Sequence, residues 1–319
     1  MSVDLVEVVR SGFRECVHRG SLVVIDVDGD PELEIGAVHT PIYPRSCNKP
    51  MQVLTLLRNG FVPADAAELA IASASHMGER RHIELVRRLL DRFDLVEDQL
   101  QCPPDLPANE VARAEVLTHG ARPRRLYMNC SGKHAAMLAT CTINGWPLES
   151  YLDSTHPLQE AVAATIADLT GEPENELAID GCGLPIVPVS LVNLARAFAR
   201  LTTAPDTTPE RLIADAIRAH PDLVSGEGTT DLRLMTAVPG LLCKTGADGV
   251  QVGALADGRA FAFKIDDGSD RPRLPLAAAI LSRMGVEWAE DPTDIAAQPV
   301  LGGGARVGIV RAIPGAVSQ

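Results

Sequence analysis

Apolar and polar positions alternate at both ends of the chain and recur with a helical period through its middle. Leu22-Val23-Val24-Ile25-Asp26-Val27, the turn Asp28-Gly29-Asp30 and Glu34-Ile35-Gly36-Ala37-Val38 read as a hairpin, because Asp-Gly supplies the backbone conformations a tight turn needs. Pro41 to Pro44 breaks regular structure. A helix is expected from about Ser46 through Met51–Leu57 to a stop at Gly60, with Pro50 in the first turn, where a missing N–H costs little. From Ala64 to about Ala199 the pattern is mostly helical, as in Ile83–Leu90. Loops at Pro103-Pro104, Gly132, Gly145 and Gly181-Cys182-Gly183-Leu184-Pro185 interrupt it, and the Thr- and Pro-rich residues 203–209 make an exposed loop. Strands return at Leu241–Thr245, Val250–Leu255 and Ala260–Ile265, separated by turns at Asp248-Gly249 and Asp257-Gly258, and a helix follows from about Pro275 to Met284.

The fold expected from this order is α/β, one unit over residues 1–319. An antiparallel sheet from about 1–45 and 236–319 flanks a largely helical insert, about 46–235. Hydrophobic residues make up 46% of the chain but aromatic ones only 3%, so Ala, Val and Leu must fill the core. The formal charge of -13 argues against nucleic acid or an anionic membrane as partner. No apolar run is long enough to suggest a membrane span. Met1-Ser2-Val3-Asp4 does not read as a signal peptide. Seven cysteines spread from Cys16 to Cys243 do not read as a disulfide framework. The expectation is a soluble, cytoplasmic protein with reduced thiols and a small-molecule partner.

Lysine usage adds candidate chemistry. Of 29 basic residues, four are Lys (Lys49, Lys133, Lys244 and Lys264) and 25 are Arg. Lysine can give up its proton when its surroundings demand it, whereas guanidinium stays charged. Three of the four lie in short patterns: Ser46-Cys47-Asn48-Lys49, Cys130-Ser131-Gly132-Lys133 and Lys244-Thr245-Gly246. Lys264 lies in an alternating strand-like run and reads equally well as plain structure. Ser-x-x-Lys at a helix start puts hydroxyl and amine one turn apart on one face. The hydroxyl needs a base to become a nucleophile, and a neutral Lys can serve. Half-neutralising a lysine near pH 7.4 costs about 4 kcal/mol, which burial and a second cation nearby can supply. Ser46 also suits a helix N-cap, and the two roles are compatible. Lys244-Thr245-Gly246 reads as a strand bordering the nucleophile, its Gly allowing close backbone approach and its Lys providing a second cation or proton shuttle.

Ser-x-x-Lys after a hairpin, then Lys-Thr-Gly on a strand before two more strands and a final helix, resembles the serine β-lactamase and penicillin-binding fold. Five ordered blocks resemble the rhizobial-type (class 3) L-asparaginase family more closely. They are Tyr43–Pro50, Ala74–Glu79, Asn129–His134, Asp180–Gly183 and Lys244–Gly249. The resemblance spans about residues 5–312. It implies hydrolysis of L-asparagine to aspartate and ammonia through an acyl-Ser46 intermediate, with Lys49 as base and Ser75 with Lys244 as a second Ser–Lys pair. Lys264, twenty residues on, competes with Lys244 for that place. The resemblance also implies one zinc beside the catalytic serine, held by Cys130, Lys133 and Cys182, and a homodimer. The substrate's ammonium needs an anion, for which Asp180 is the candidate. Its carboxylate needs a cation or donor, for which Arg45 and His134 are candidates, with Glu79 as a further polar group. Backbone N–H groups at the start of the Ser46 helix suit an oxyanion site. The block around Ser75 carries Ser73 and Met77, on which no role is placed, and a Ser-Tyr-Asn type motif is missing, which argues against a plain glutaminase or β-lactamase. The rival expectations are another serine amidohydrolase on this scaffold, acting on glutamine or a β-lactam, and a non-catalytic amino-acid or cell-wall-fragment sensor.

Overall fold

The computed structural model describes residues 2–173 and 177–317. Among these, eight strands form one sheet: β1 (Val3–Arg10), β2 (Phe13–Ile25), β3 (Pro31–Ile35), β4 (Leu242–Thr245), β5 (Val250–Ala254), β6 (Ala260–Ile265), β7 (Gln298–Gly302) and β8 (Ala305–Ala312). Neighbours run β4-β5-β6-β2-β1-β8-β7, with β3 added beside β2. Every one of these pairings is antiparallel. Both chain ends meet at the sheet centre, where Val8 of β1 faces Val310 of β8. The register that matters for chemistry lies on the other side: Lys244 faces Val252, and Lys264 lies between Ser21 and Val250.

The chain divides into two compact units. One holds Met1–Cys47, Val189–Thr203 and Arg233–Gln319; the other holds Asn48–Pro188 and Ala204–Leu232. In the sheet unit, Leu5, Val6, Val8 and Leu22–Ile25 are buried, and Phe261 and Phe263 stack at 6.2 Å. The helix Leu191–Thr203 packs on β2, β5 and β6. Its buried Leu191, Leu194, Ala195, Phe198 and Leu201 recur at helical spacing, which makes one apolar stripe. The helix Arg273–Arg283 packs on β8 and β1.

The helical unit is built around Ser131–Asn144, in which every residue from Ser131 to Cys141 is buried. A helix buried on all sides is a central one. The helices Lys49–Arg58, Ala66–Ala72 and Arg80–Asp91 pack against it. Gly132 permits the closest of these approaches, since a Cβ there would lie 2.3 Å from the Ile71 carbonyl oxygen. Ends are capped in ordinary ways: Asp65 accepts from the Glu68 N–H, and Gly145 closes the central helix in a left-handed conformation.

The three strands β4–β6 and the helix near residue 275 stand where the pattern put them; the hairpin β2–β3 forms about the expected turn, but β3 is Pro31–Ile35 rather than residues 34–38. Three further features differ. The sheet also contains β1 and the C-terminal hairpin β7–β8, and the helix Leu191–Thr203 groups with the sheet rather than with the other helices. The helix anticipated from Ser46 begins as the 3-10 turn Arg45–Asn48 and becomes α-helical at Lys49. Among the described residues no helix is long and apolar enough to cross a membrane.

Candidate active site

The helical unit holds eight of the sequence candidates: Lys49, Ser75, Glu79, Cys130, Lys133, His134, Asp180 and Cys182. Lys49 opens its helix, is 1% exposed, and donates through Nζ to the Ala74 carbonyl and to Ser75 Oγ at 2.9 Å. Ser75 follows the short helix Ala66–Ala72 and is half-buried. Its own N–H donates to the Val224 carbonyl at 2.8 Å, which fixes the loop that presents the hydroxyl. The first Ser–Lys hydrogen bond in the structure is therefore Lys49 to Ser75.

Cys130, Lys133 and Cys182 form the second group. Lys133, 2% exposed, lies with Nζ 3.5 Å from Cys182 Sγ. The Cys182 hydrogen bond, followed by the charges of Lys49 and Lys133, holds the Cys130 thiol well below its usual value against the opposing effect of burial. Cys182 is pushed up by its bond to Cys130 and by burial. Burial alone would lower Lys133, but the two thiols and Asp180 outweigh it and leave the ammonium favoured. A lowered Cys130 thiol beside the Lys133 ammonium is a charge-compensated arrangement. Two sulfurs and an amine converging in this way also suit a soft divalent cation such as zinc, once the protons are displaced. No group of three or more His, Cys, Asp and Glu side chains among the described residues is arranged to hold a metal; the third donor here is an amine.

Asp180 stands in the short hairpin of Ala178–Ile179 with Pro185–Ile186. Its Oδ1 accepts from the Gly181 N–H at 2.9 Å, and its Oδ2 lies 3.8 Å from Cys182 Sγ. His134 is fully buried. Tyr151 Oη accepts from the Gln101 N–H at 2.9 Å and is hydrogen-bonded to His134 Nδ1 at 2.7 Å, while His134 Nε2 is without a partner among the described residues. Burial first, then Lys133, Lys49 and Arg125, push the imidazole well below its usual value. His134 is thus a neutral ring, not a cation for a carboxylate. Glu79 is occupied structurally: it pairs with Arg81 at 2.7 Å and accepts from the Glu227 N–H at 2.9 Å.

Sequence reasoning passed over His76 and Ser131 as working residues. His76 Nδ1 accepts from the Gly78 N–H at 3.1 Å, so Nε2 donates to Ser131 Oγ at 2.8 Å, and Ser131 donates onward to the Leu126 carbonyl. This neutral bridge ties the Ser75 loop to the helix start that carries Cys130 and Lys133. The adjacency of His76 to Ser75 was the available signal, but the 55-residue separation of the pair hid it.

The sheet unit holds the other candidates. Ser46 is half-buried in the turn Arg45–Asn48. Cys47 Sγ donates to the Lys244 carbonyl at 3.2 Å. A Cβ on Gly246 would meet the Pro44 carbonyl oxygen at 2.4 Å, so only glycine lets the Pro44–Cys47 segment lie against the Lys244–Gly246 strand end. Lys244 is fully buried, and its Nζ donates to the Thr245 carbonyl at 3.1 Å. Arg273, 2% exposed, fixes this strand end by donating to the Gly246 and Val250 carbonyls while paired with Asp270. Lys264 is half-buried and donates to the Asp248 and Ile265 carbonyls at 2.6 and 2.5 Å. It staples a turn, the structural role its strand position allowed. Three surface grooves of about 490, 390 and 290 Å³ are lined by residues other than these candidates.

The sequence model of the L-asparaginase II family matches residues 6–312. Among solved structures, a putative β-lactamase from Bacteroides dorei DSM 17855 is 15% identical over 77% of this chain and 84% of its own, with TM-score 0.39. A β-lactamase from Mycobacterium bovis is 16% identical over 83% and 94%, with TM-score 0.40. EstCE1, a hydrolase with promiscuous acyltransferase activity, is 11% identical over 82% and 88%, with TM-score 0.37. No curated protein matches the chain.

Proposed function

The chain belongs to the L-asparaginase II family, whose members are amidohydrolases, and from that premise we propose that it hydrolyses L-asparagine to L-aspartate and ammonia through an ester on Ser46. The observation that carries the reading is Lys49: a buried amine three residues after Ser46, already hydrogen-bonded to a second serine. In the proposed cycle, neutral Lys49 takes the Ser46 proton as Oγ adds to the side-chain carboxamide carbon. The proton then passes to the departing nitrogen, directly or through Ser75, so that ammonia leaves and an aspartyl ester remains. Water adds to the ester, gives its proton to the same amine, and releases aspartate with Ser46 restored. Lys244, buried on β4, is the second lysine of this proposal. Lys264 is less suited, since its amine is spent on two turn carbonyls.

Cys130, Lys133 and Cys182 would hold a zinc ion in this reading, because their sulfurs and amine already converge. A cation there would supply positive charge that orients the polar groups of the substrate. Asp180, whose carboxylate already biases Lys133, would meet the substrate's ammonium. A homodimer follows from the family resemblance, and a cytoplasmic location from seven scattered cysteines that do not read as a disulfide framework; both belong to the same proposal.

Ammonia release from L-asparagine and L-glutamine, measured beside Ser46→Ala, tests the reading. Release from asparagine that disappears in the variant is expected. Release from neither amide would overturn the reaction, and equal release in the variant would overturn the nucleophile.

A further inference from the structure

The turn Gly246–Val250 of the sheet unit carries a feature the proposed cycle does not use. Among the described residues, four non-glycine side chains stand on a left-handed backbone: Ser11, Arg45, Asp94 and Asp248. Two of them are ion-paired with each other, Arg45 Nη1 to Asp248 Oδ2. Arg45 has φ +54° and immediately precedes Ser46; Asp248 also has φ +54°. Such conformations cost free energy in a residue with a Cβ and persist only where the surroundings impose them. Here those surroundings are visible. Lys264 holds the Asp248 carbonyl, Gly246 lies against the Pro44 carbonyl, and Cys47 holds the Lys244 carbonyl. Three independent contacts thus set a carboxylate opposite the guanidinium next to Ser46. The Asp248 side chain is 65% exposed, so the pair itself is worth little and opens readily.

We propose that Asp248 is a specificity residue: its carboxylate occupies Arg45 until the α-carboxylate of an amino-acid substrate takes its place. This rests on the reading of Ser46 as nucleophile and adds to it the recognition of one substrate group. Arg45 matches a carboxylate in shape and charge, and an exposed intramolecular pair keeps the guanidinium oriented while remaining displaceable. The exchange substitutes one carboxylate for another, so no charge is left uncompensated. Amides without an α-carboxylate have nothing to offer Arg45 and gain nothing from displacing Asp248.

Equilibrium binding to protein carrying Ser46→Ala, measured by calorimetry, tests this without turnover. The probes are L-asparagine and L-asparaginamide, in which a neutral carboxamide replaces the α-carboxylate. Adding Asp248→Asn removes the competitor and is expected to tighten L-asparagine about 2- to 5-fold, the scale of an exposed ion pair, and to leave L-asparaginamide unchanged. Adding Arg45→Gln is expected to weaken L-asparagine by about 10- to 100-fold, the scale of a charge-assisted hydrogen bond, again sparing L-asparaginamide. If Asp248→Asn weakens both ligands equally, the pair is only a structural latch and the inference fails. It also fails if Arg45→Gln affects both ligands alike, or if L-asparagine does not bind at all. Selective binding by these proteins with no ammonia release by the wild type would overturn the reaction and leave this recognition standing.

Discussion

The Lys49 cluster of the helical unit and the Arg45–Asp248 turn of the sheet unit hold charged side chains by opposite means. Around Lys49 the groups are buried and answered by neighbours: Ser75 and Ala74 for Lys49, and the thiols and Asp180 for Lys133. In the turn, both charges reach solvent, and what is fixed is the backbone. Burial makes electrostatic effects large and changes there expensive, because a group left without its partner cannot turn to water. Exposure makes the pairing cheap to break, so the turn suits exchange of ligands rather than proton transfer. Chemistry that needs an amine to lose its proton belongs in the first setting, and reversible capture of a carboxylate in the second.

The contrast can be broken most directly at Lys49. Lys49→Met keeps the stem and removes the amine; kcat should fall by about 10²- to 10⁴-fold, the scale of a lost general base. Lys49→Arg should not restore it, since guanidinium cannot act as a base. Far-ultraviolet circular dichroism of both variants checks that the helical unit still folds. Next in size is metal content. Purified protein should carry about one zinc per chain, the number expected of one three-donor set with a fourth position open. Elemental analysis of Cys182→Ala and Lys133→Arg should show that zinc gone. Zinc retained in full by both would remove Cys130, Lys133 and Cys182 from the metal account.

Gly246 tests the packing half of the contrast. Gly246→Ala places a Cβ against the Pro44 carbonyl and should cost about 1–3 kcal/mol, the scale of overpacking, read as a lower thermal midpoint. An unchanged midpoint would mean that the Pro44–Cys47 segment is not held there. The smallest effect concerns alkaline stability. Burial pushes the Cys141 thiol up from 9.0 to about 12. The unfolded chain therefore releases this proton first as pH rises, so stability is unaffected below pH 9 and declines from there to about pH 12. Cys141→Ala should flatten that decline relative to its own stability at neutral pH, as measured by denaturant titration at several pH values.

Much of this was legible in the residues. The Asp-Gly turns and alternating runs located β2–β3 and β4–β6, because both signals act over a few residues. The strand β1 was hidden by its burial: Leu5, Val6 and Val8 are fully covered, which blurs the alternation that marks a half-exposed strand. The hairpin β7–β8 was hidden by Pro299 and the run Gly302-Gly303-Gly304, which read as breaks. For Leu191–Thr203 the period identified a helix but could not say that its stripe lies on strands. The site divides in the same way. Ser46 and Lys49 lie three residues apart, so spacing alone made them candidates, whereas the Lys49–Ser75 hydrogen bond spans 26 residues. Cys130 and Cys182 meet across half the helical unit, and only the family resemblance joined them. Asp248 was visible merely as half of an Asp-Gly turn, since its partner Arg45 lies 203 residues away.

The central claim is that Ser46 carries the acyl group. Acid-quenched protein taken during turnover of L-asparagine, digested and examined by peptide mass spectrometry, tests it directly, with Ser75→Ala included to slow release of the ester. An aspartyl ester on the peptide containing Ser46 is expected. An adduct on Ser75 or a thioester on Cys130, with the Ser46 peptide unmodified, would contradict it.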